Sequence, residues 1–69
     1  MTFTELKQAV KEGATLVWND PEPIEGNDYT ISYLEDISDE DFDKLSPILI
    51  QYNNGGSEAQ VFLHEIVIV

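Results

Sequence analysis

Residues 48–63, with the sequence ILIQYNNGGSEAQVFL, predict two short β-strands joined by a tight turn. A two-residue turn at Asn54-Gly55 requires positive φ at both central residues, which Asn tolerates and Gly adopts freely. Counting back from this turn predicts a register with one apolar face, formed by pairing Tyr52 with Ser57, Ile50 with Ala59 and Ile48 with Val61. A slip of one residue would turn one apolar set toward water, so the pattern and the turn agree. A four-residue loop over residues 53–56 gives the same register.

The chain has 69 residues and a formal net charge of −11, from fourteen carboxylates and three lysines. This length predicts one small domain spanning residues 1–69. Phosphate binding needs clustered Lys and Arg, so the charge argues against nucleic acid as a direct ligand and against anionic membrane surfaces. The charge instead favours a basic partner or none, and the alternative explanation is that an acidic surface keeps a small bacterial-type protein soluble.

The sequence contains no cysteine, so it offers neither a disulfide nor a thiolate metal site. It also shows no basic n-region near residue 1 and no apolar run of membrane-spanning length. We therefore expect a cytoplasmic protein of bacterial type without a membrane partner.

A helix is predicted over residues 3–12. Thr2 and Glu5 have the spacing of a capping box, and Phe3, Leu6 and Val10 form one apolar stripe. Gly13 suits the left-handed position that follows a helix. Because so short a helix is marginal alone, its stripe is expected to pack on a sheet.

Alternating and apolar segments predict five strands, over residues 14–18, 29–37, 48–53, 57–63 and 66–69. Residues 19–28 form a long acidic loop with two prolines. Residues 38–45 form either one helical turn capped by Ser38 or a polar loop pinned by Phe42 and Leu45. The order predicts a mainly β fold, a small SH3-like barrel of about five antiparallel strands with an N-terminal helix. The alternative is an α+β fold with the helix packed on an open antiparallel sheet.

Two stretches carry a resemblance to a known group: Gly13 ahead of a strand that ends in Trp18-Asn19-Asp20-Pro21, and residues 57–61 (SEAQV) leading to His64-Glu65-Ile66. The chain resembles, over most of its length, a group of small uncharacterised bacterial proteins with an SH3-like barrel. The resemblance implies a fold and brings no activity, cofactor or catalytic residue.

No catalytic, cofactor or metal site is predicted. Asp39, Asp41 and Asp43 have the spacing that opens an EF-hand loop, but Lys44 stands where the loop needs glycine and Ile50 where it needs a bidentate glutamate. We read these acids as a solvated loop, with weak calcium binding as the alternative. His64 is the only histidine and has no cysteine or second histidine to complete a site, so we expect a non-enzymatic protein with a structural or surface His64.

The aromatic residues Trp18, Tyr29, Tyr33 and Tyr52 are many for so short a chain, and Trp18 and Tyr29 bracket the acidic loop. An SH3-like barrel can present such rings as a groove for an extended proline-rich segment, with loop carboxylates selecting a basic residue. The alternative is that the rings fill a small core. The predicted partner-binding residues are Trp18, Asp20, Glu22, Glu25, Asp28, Tyr29 and Tyr52.

The expected function is a protein-interaction module or accessory subunit with an acidic, aromatic-edged surface that takes a basic or extended peptide. The alternative function is an acidic nucleic-acid mimic that inhibits a DNA-binding protein, which would need carboxylates spaced like phosphates on one face. The apolar run Ile66, Val67, Ile68 and Val69 predicts either a strand covered on both faces or an exposed edge strand, and the second alternative would allow a homodimer through these residues.

Overall fold

The structure is a computed structural model, and it describes residues 2–41 and 47–69. Within these residues the fold is α+β, and it comprises the helix α1, five strands and one 3-10 helix. Their bounds are α1 Phe3–Lys11, β1 Leu16–Trp18, β2 Ile31–Leu34, β3 Ile48–Tyr52, β4 Ser57–Val61, the 3-10 helix Leu63–Glu65 and β5 Ile66–Ile68.

The ends of α1 form as its sequence predicts. The Thr2 hydroxyl accepts from the Glu5 amide at 3.1 Å, and the Glu5 carboxylate accepts from the Thr2 amide at 3.4 Å, so the capping box is complete. The helix ends at Lys11, one residue earlier than predicted. Gly13 has φ +83°, and the Ala14 amide donates to the Ala9 carbonyl at 3.0 Å, which satisfies a carbonyl of the last turn.

The predicted register of the β3–β4 hairpin is confirmed at every pair from Tyr52–Ser57 to Ile48–Val61. The predicted two-residue turn at Asn54-Gly55 is wrong. Positive φ occurs at Gly55 and Gly56, not at Asn54, so the connection is the four-residue loop. The two consecutive glycines take the left-handed conformations, because they have no Cβ to oppose them. The Ser57 hydroxyl donates to the Asn54 carbonyl at 2.6 Å and closes the loop.

The strands form two antiparallel sheets, one of order β1-β5 and one of order β2-β3-β4. An isolated bridge between Val17 and Thr30 joins them, beside a hydrogen bond from the Trp18 amide to the Tyr29 carbonyl at 3.0 Å. A barrel would also need β4 to pair with β5, and the described strands do not make that pairing. The predicted closed barrel is therefore not observed, and the fold is closer to the predicted alternative with a helix and open antiparallel sheets.

The core lies between α1 and the two sheets. Its buried members are Phe3, Leu6, Leu16, Ile48, Ile50, Val61 and Ile66. Ala59 is partly buried and packs against them. Val10 departs from the predicted stripe, since 45% of its surface is exposed. Only the first two turns of α1 therefore contribute core side chains.

All five strands are shorter than predicted at one or both ends. The segment predicted over 29–37 forms a strand only at Ile31–Leu34, with a register shift between Ile31 and Tyr33. The strand predicted to reach residue 63 ends at Val61, because the Glu65 carboxylate accepts from the Phe62 amide at 2.8 Å and the chain turns into the 3-10 helix.

The helical-turn prediction for residues 38–45 is tested only at its start. The Ser38 hydroxyl accepts from the Asp41 amide at 3.1 Å, and residues 39–41 are helical. Phe42, Asp43, Lys44 and Leu45 lie outside the described residues, so the alternative of a loop pinned by Phe42 and Leu45 stays a prediction.

Candidate functional site

Three of the predicted site residues form one aromatic cluster, which consists of Trp18, Tyr29 and Tyr52. The Tyr29 and Tyr52 rings stack with centroids 5.2 Å apart, and the Trp18 ring meets them at 5.6 and 5.4 Å. Each ring is partly buried. Trp18 ends β1, Tyr52 ends β3 and Tyr29 precedes the bridge between the sheets, so the cluster sits where the two sheets meet. Tyr33 does not join the cluster.

The Tyr29 hydroxyl organises the acidic loop of residues 19–28. It donates to the Asp20 carboxylate at 2.9 Å, and it accepts from the Ile24 amide at 2.9 Å and from the Asn27 side chain at 3.4 Å. The other oxygen of the Asp20 carboxylate accepts from the Glu22 amide at 2.9 Å. The ring of Tyr29 is thereby fixed to the aromatic cluster and its hydroxyl to the loop, which ties the shape of the loop to the position of the rings.

Asp28 closes the loop on the strand that follows it. The Asp28 carboxylate accepts hydrogen bonds from the Thr30 hydroxyl and, at 2.9 Å, from the Thr30 amide. Both bonds, and the hydroxyl's most of all, hold the pKa of Asp28 below its ordinary value of 3.8. Hydrogen bonds to the charged form of an acid favour that form. The carboxylate is exposed, so Asp28 presents a full negative charge to solvent at neutral pH.

The loop carboxylates have no positive counterpart in the part of the chain that the structure describes. Asp20, Glu22, Glu25 and Asp28 form no ion pair there, and the side chains of Glu22, Glu25 and Asp28 are exposed. The structure thus places Asp20 in hydrogen-bond contact with Tyr29 of the aromatic cluster, and it leaves Glu22, Glu25 and Asp28 exposed on the same loop. The arrangement offers uncompensated negative charge next to partly exposed rings.

The indole N–H of Trp18 points into the protein. Its nitrogen is buried and has no hydrogen-bond acceptor among the described residues. Any ligand on the aromatic cluster would therefore contact ring carbons of Trp18 and not its N–H.

Sequence reasoning missed Ile24 as a site candidate. It lies in the acidic loop with 63% of its surface exposed, and its amide is one of the groups held by the Tyr29 hydroxyl. An apolar residue after a proline inside an acidic loop is a signal that the sequence does contain. Asn27 and Thr30 were also missed, because a sequence does not show which carboxylate or hydroxyl each side chain will meet.

A second concave surface, the helix groove, lies between α1 and β2 and has a volume of about 290 Å³. Val10, Tyr33 and Leu34 are among the residues that line it. Lys7 and Lys11 lie on its helix side, and Glu35 and Asp36 lie on the strand side. The exposure of Val10, which the helical periodicity placed in the core, comes from this groove.

Lys7 of α1 contacts the acidic segment that follows β2, at Ile37 and Asp39. Its ammonium lies 3.7 Å from the Asp39 carboxylate, 3.5 Å from the Ile37 carbonyl and 5.2 Å from the centre of the Phe3 ring. The Thr4 hydroxyl donates to the other Asp39 oxygen at 3.0 Å. Asp39 is therefore a tether of this segment, in addition to any role in solvation.

Among residues 2–41 and 47–69, no group of three or more His, Asp or Glu side chains is placed to hold a metal ion. Asp43, the third acid of the EF-hand-like spacing, lies outside these residues, so weak calcium binding there stays a prediction. The exposed ring of His64 stacks on Phe62 at 5.8 Å.

Comparison with protein-family models, with curated proteins and with solved structures found no match. In the described residues, no helix has both the length and the apolar character needed to cross a membrane. The geometry of the two surfaces therefore has to carry any functional argument.

Proposed function

We propose that the chain is a non-enzymatic protein-interaction module or accessory subunit that binds a basic, extended segment of a partner protein in the cytoplasm. The binding surface consists of the aromatic cluster (Trp18, Tyr29, Tyr52) and the acidic loop of residues 19–28. The single observation that carries the proposal is the uncompensated charge of this loop, held against the rings by the Tyr29 hydroxyl.

The surface has the two elements that recognition of a basic proline-rich segment requires. Partly exposed rings give flat apolar contact with a segment that is already extended, and carboxylates beside them attract Arg or Lys. The carboxylates are arranged before binding, because Asp20 and Asp28 are fixed by hydrogen bonds within the protein. A surface arranged in advance loses less conformational entropy when a ligand binds.

The strand order supports a relation to SH3-like barrels as part of the same proposal. Counting the Val17–Thr30 bridge, the strands run β5-β1-β2-β3-β4 in space. This is the order of a five-stranded barrel that is open between β4 and β5. The acidic loop then lies where β1 leads into β2.

The hydrogen bonds of the carboxylates favour this function over nucleic-acid mimicry. Several of them accept hydrogen bonds from nearby backbone amides: Glu5, Asp20, Asp28, Glu35 and Glu65. These acids have structural roles that explain their positions without reference to phosphate spacing. Release of a captured partner by duplex DNA would favour mimicry instead.

The test is a titration with a synthetic proline-rich peptide that carries arginines, alongside the same peptide with glutamates in their place. Trp18 is the only tryptophan, so its fluorescence reports on the aromatic cluster directly. We expect the arginine peptide to bind and the glutamate peptide not to bind. Equal binding of the two peptides, or binding of neither, would overturn the proposal.

A matched pair of charge variants locates the surface. The double change Glu22→Lys and Glu25→Lys should lower the affinity for the arginine peptide by about tenfold, which corresponds to about 1.4 kcal/mol of binding free energy. The double change Glu12→Lys and Glu58→Lys alters the net charge equally, but it places both changes outside the loop, so binding should stay within about threefold. Ile24→Ser should also weaken binding, since it removes an exposed apolar contact without disturbing the core.

A further inference from the structure

Among the strands that the structure describes, β5 pairs only with β1, so one edge of the two-stranded sheet has no partner strand there. Ile66 is buried, whereas the exposed fractions of Val67 and Ile68 are 46% and 42%. Residues 66–69 have no charged side chain, although the net charge of the chain is −11. The edge therefore lacks the charged residues with which proteins commonly block association of strands.

The hydrogen bonds of β5 show which backbone groups face this edge. The Val69 amide donates to the Thr15 carbonyl at 2.9 Å, and the Asn19 amide donates to the Glu65 carbonyl at 2.7 Å. Backbone bonds alternate along an antiparallel pair, so Val67 also points its polar groups at β1, while Ile66 and Ile68 point theirs outward. The Ile66 amide donates to the Leu63 carbonyl. The Ile66 carbonyl and both backbone groups of Ile68 have no backbone partner in the part of the chain that the structure describes.

We propose that β5 pairs antiparallel with β5 of a second copy of this chain, across a two-fold axis at Val67. In this register Val67 faces Val67 of the second copy, and Ile68 faces Ile66. The Ile68 amide of each copy then donates to the Ile66 carbonyl of the other, which gives two symmetric hydrogen bonds. The outward-pointing groups are the ones that this register uses.

The resulting sheet would have four strands, and the side chains that lie opposite one another across it would all be apolar. Val17 lies opposite Val67 within one copy, so the central row contains only valines. The neighbouring rows combine Leu16 and Ile68 of one copy with Ile66 and Trp18 of the other. A strand that is apolar in every row of a symmetric pairing fits a second copy of itself, because an interface around a two-fold axis must be self-complementary.

Charge distribution also favours this edge over the other free edge. The β4 strand exposes Glu58, whereas β5 has no carboxylate within its length. The nearest acid, Glu65, would face residue 69 of the second copy. The two Glu65 positions would therefore lie about 14 Å apart, four residues along a strand. That separation exceeds the Debye length of about 10 Å at 0.1 M salt, so the two Glu65 carboxylates repel each other little. Each copy still carries a net charge of −11, so added salt should strengthen the dimer by screening the general repulsion between the copies.

Cysteine substitution tests the register, because the chain has no cysteine of its own. Val67→Cys would place two thiols in a directly opposed, non-hydrogen-bonded pair with Cα atoms about 4.5 Å apart, within the range of a disulfide. Val69→Cys is the matched control, since Val69 is more exposed at 76% but would lie about 14 Å from its counterpart. We expect Val67→Cys to form the disulfide dimer at least about tenfold faster under mild oxidation.

Sedimentation of the unaltered protein at about 1 mM, with and without about 0.5 M sodium chloride, completes the test without depending on a variant. A three-residue strand contact is small, so we expect a weak dimer whose population rises with concentration and salt. A monomeric mass under all of these conditions would overturn the proposal. Equal rates of disulfide formation at the two cysteine positions would overturn the register.

Discussion

Replacing Tyr29 with phenylalanine tests whether one hydroxyl holds the acidic loop to the aromatic cluster. The change keeps the ring that stacks on Tyr52 and removes the bonds to Asp20, Ile24 and Asn27. The bond to the Asp20 carboxylate is charge-assisted, and such bonds contribute roughly 1.5–3 kcal/mol, whereas a neutral bond contributes about 1 kcal/mol. The groups are only partly buried and water can replace the hydroxyl, so we expect a loss of about 1–2 kcal/mol in the free energy of unfolding.

A loss of this size lowers the Tm of a domain of this length by about 4–16 °C. Thermal unfolding followed by circular dichroism measures the loss, and hydrogen exchange of the Ile24 amide measures the release of the loop. Tyr33→Phe is the matched control, because the Tyr33 side chain is 48% exposed and its hydroxyl makes no hydrogen bond in the described residues. The reasoning is refuted if Tyr29→Phe and Tyr33→Phe have the same Tm and the Ile24 amide exchanges at an unchanged rate.

Two further predictions concern the core and the pH dependence of the loop. Ile48→Ala removes a fully buried side chain from β3 and should lower the free energy of unfolding by about 2–5 kcal/mol, enough to unfold much of the protein at 25 °C. Val10→Ala, at a half-exposed helix position, should lower it by well under about 1 kcal/mol, and urea titration of the two variants makes the comparison. The Asp28 carboxyl should titrate below pH 3.8 by carbon NMR and move toward that value in Thr30→Val, which removes the hydroxyl. Since the folded pKa is depressed, the stability linked to Asp28 is fully present above about pH 3.8 and is lost as the pH falls through the folded pKa; a variant with an unchanged Asp28 titration would contradict this cause.

The elements predicted correctly are those whose determinants are local in the sequence. The capping box of Thr2 and Glu5 and the alternation of β3 and β4 depend on residues a few positions apart, and both form as predicted. The turn at residues 53–56 was harder, because Asn and Gly both tolerate positive φ and two turns give the same register. The structure assigns the positive φ to the glycines.

The features that the sequence did not predict depend on packing between distant segments. The exposure of Val10 follows from the groove between α1 and β2, which the helical periodicity does not reveal. The division into two sheets depends on how far the bridge at Val17 and Thr30 extends, and periodicity does not contain this information. The candidate site residues were predicted from their chemistry, but the role of the Tyr29 hydroxyl as the common partner of the loop is visible only in the structure.

The strand pairings also predict the order in which parts of the chain fold. In the hairpin Tyr52 pairs with Ser57, whereas β1 and β5 join residue 16 to residue 68. Contacts between residues that are close in sequence lose less loop-closure entropy and form sooner. We therefore expect the sheet of β2, β3 and β4 to fold first, because its strand pairings join residues closer in sequence, and the sheet of β1 and β5 to form last. Changes in the hairpin should slow folding, and changes in β5 should mainly speed unfolding.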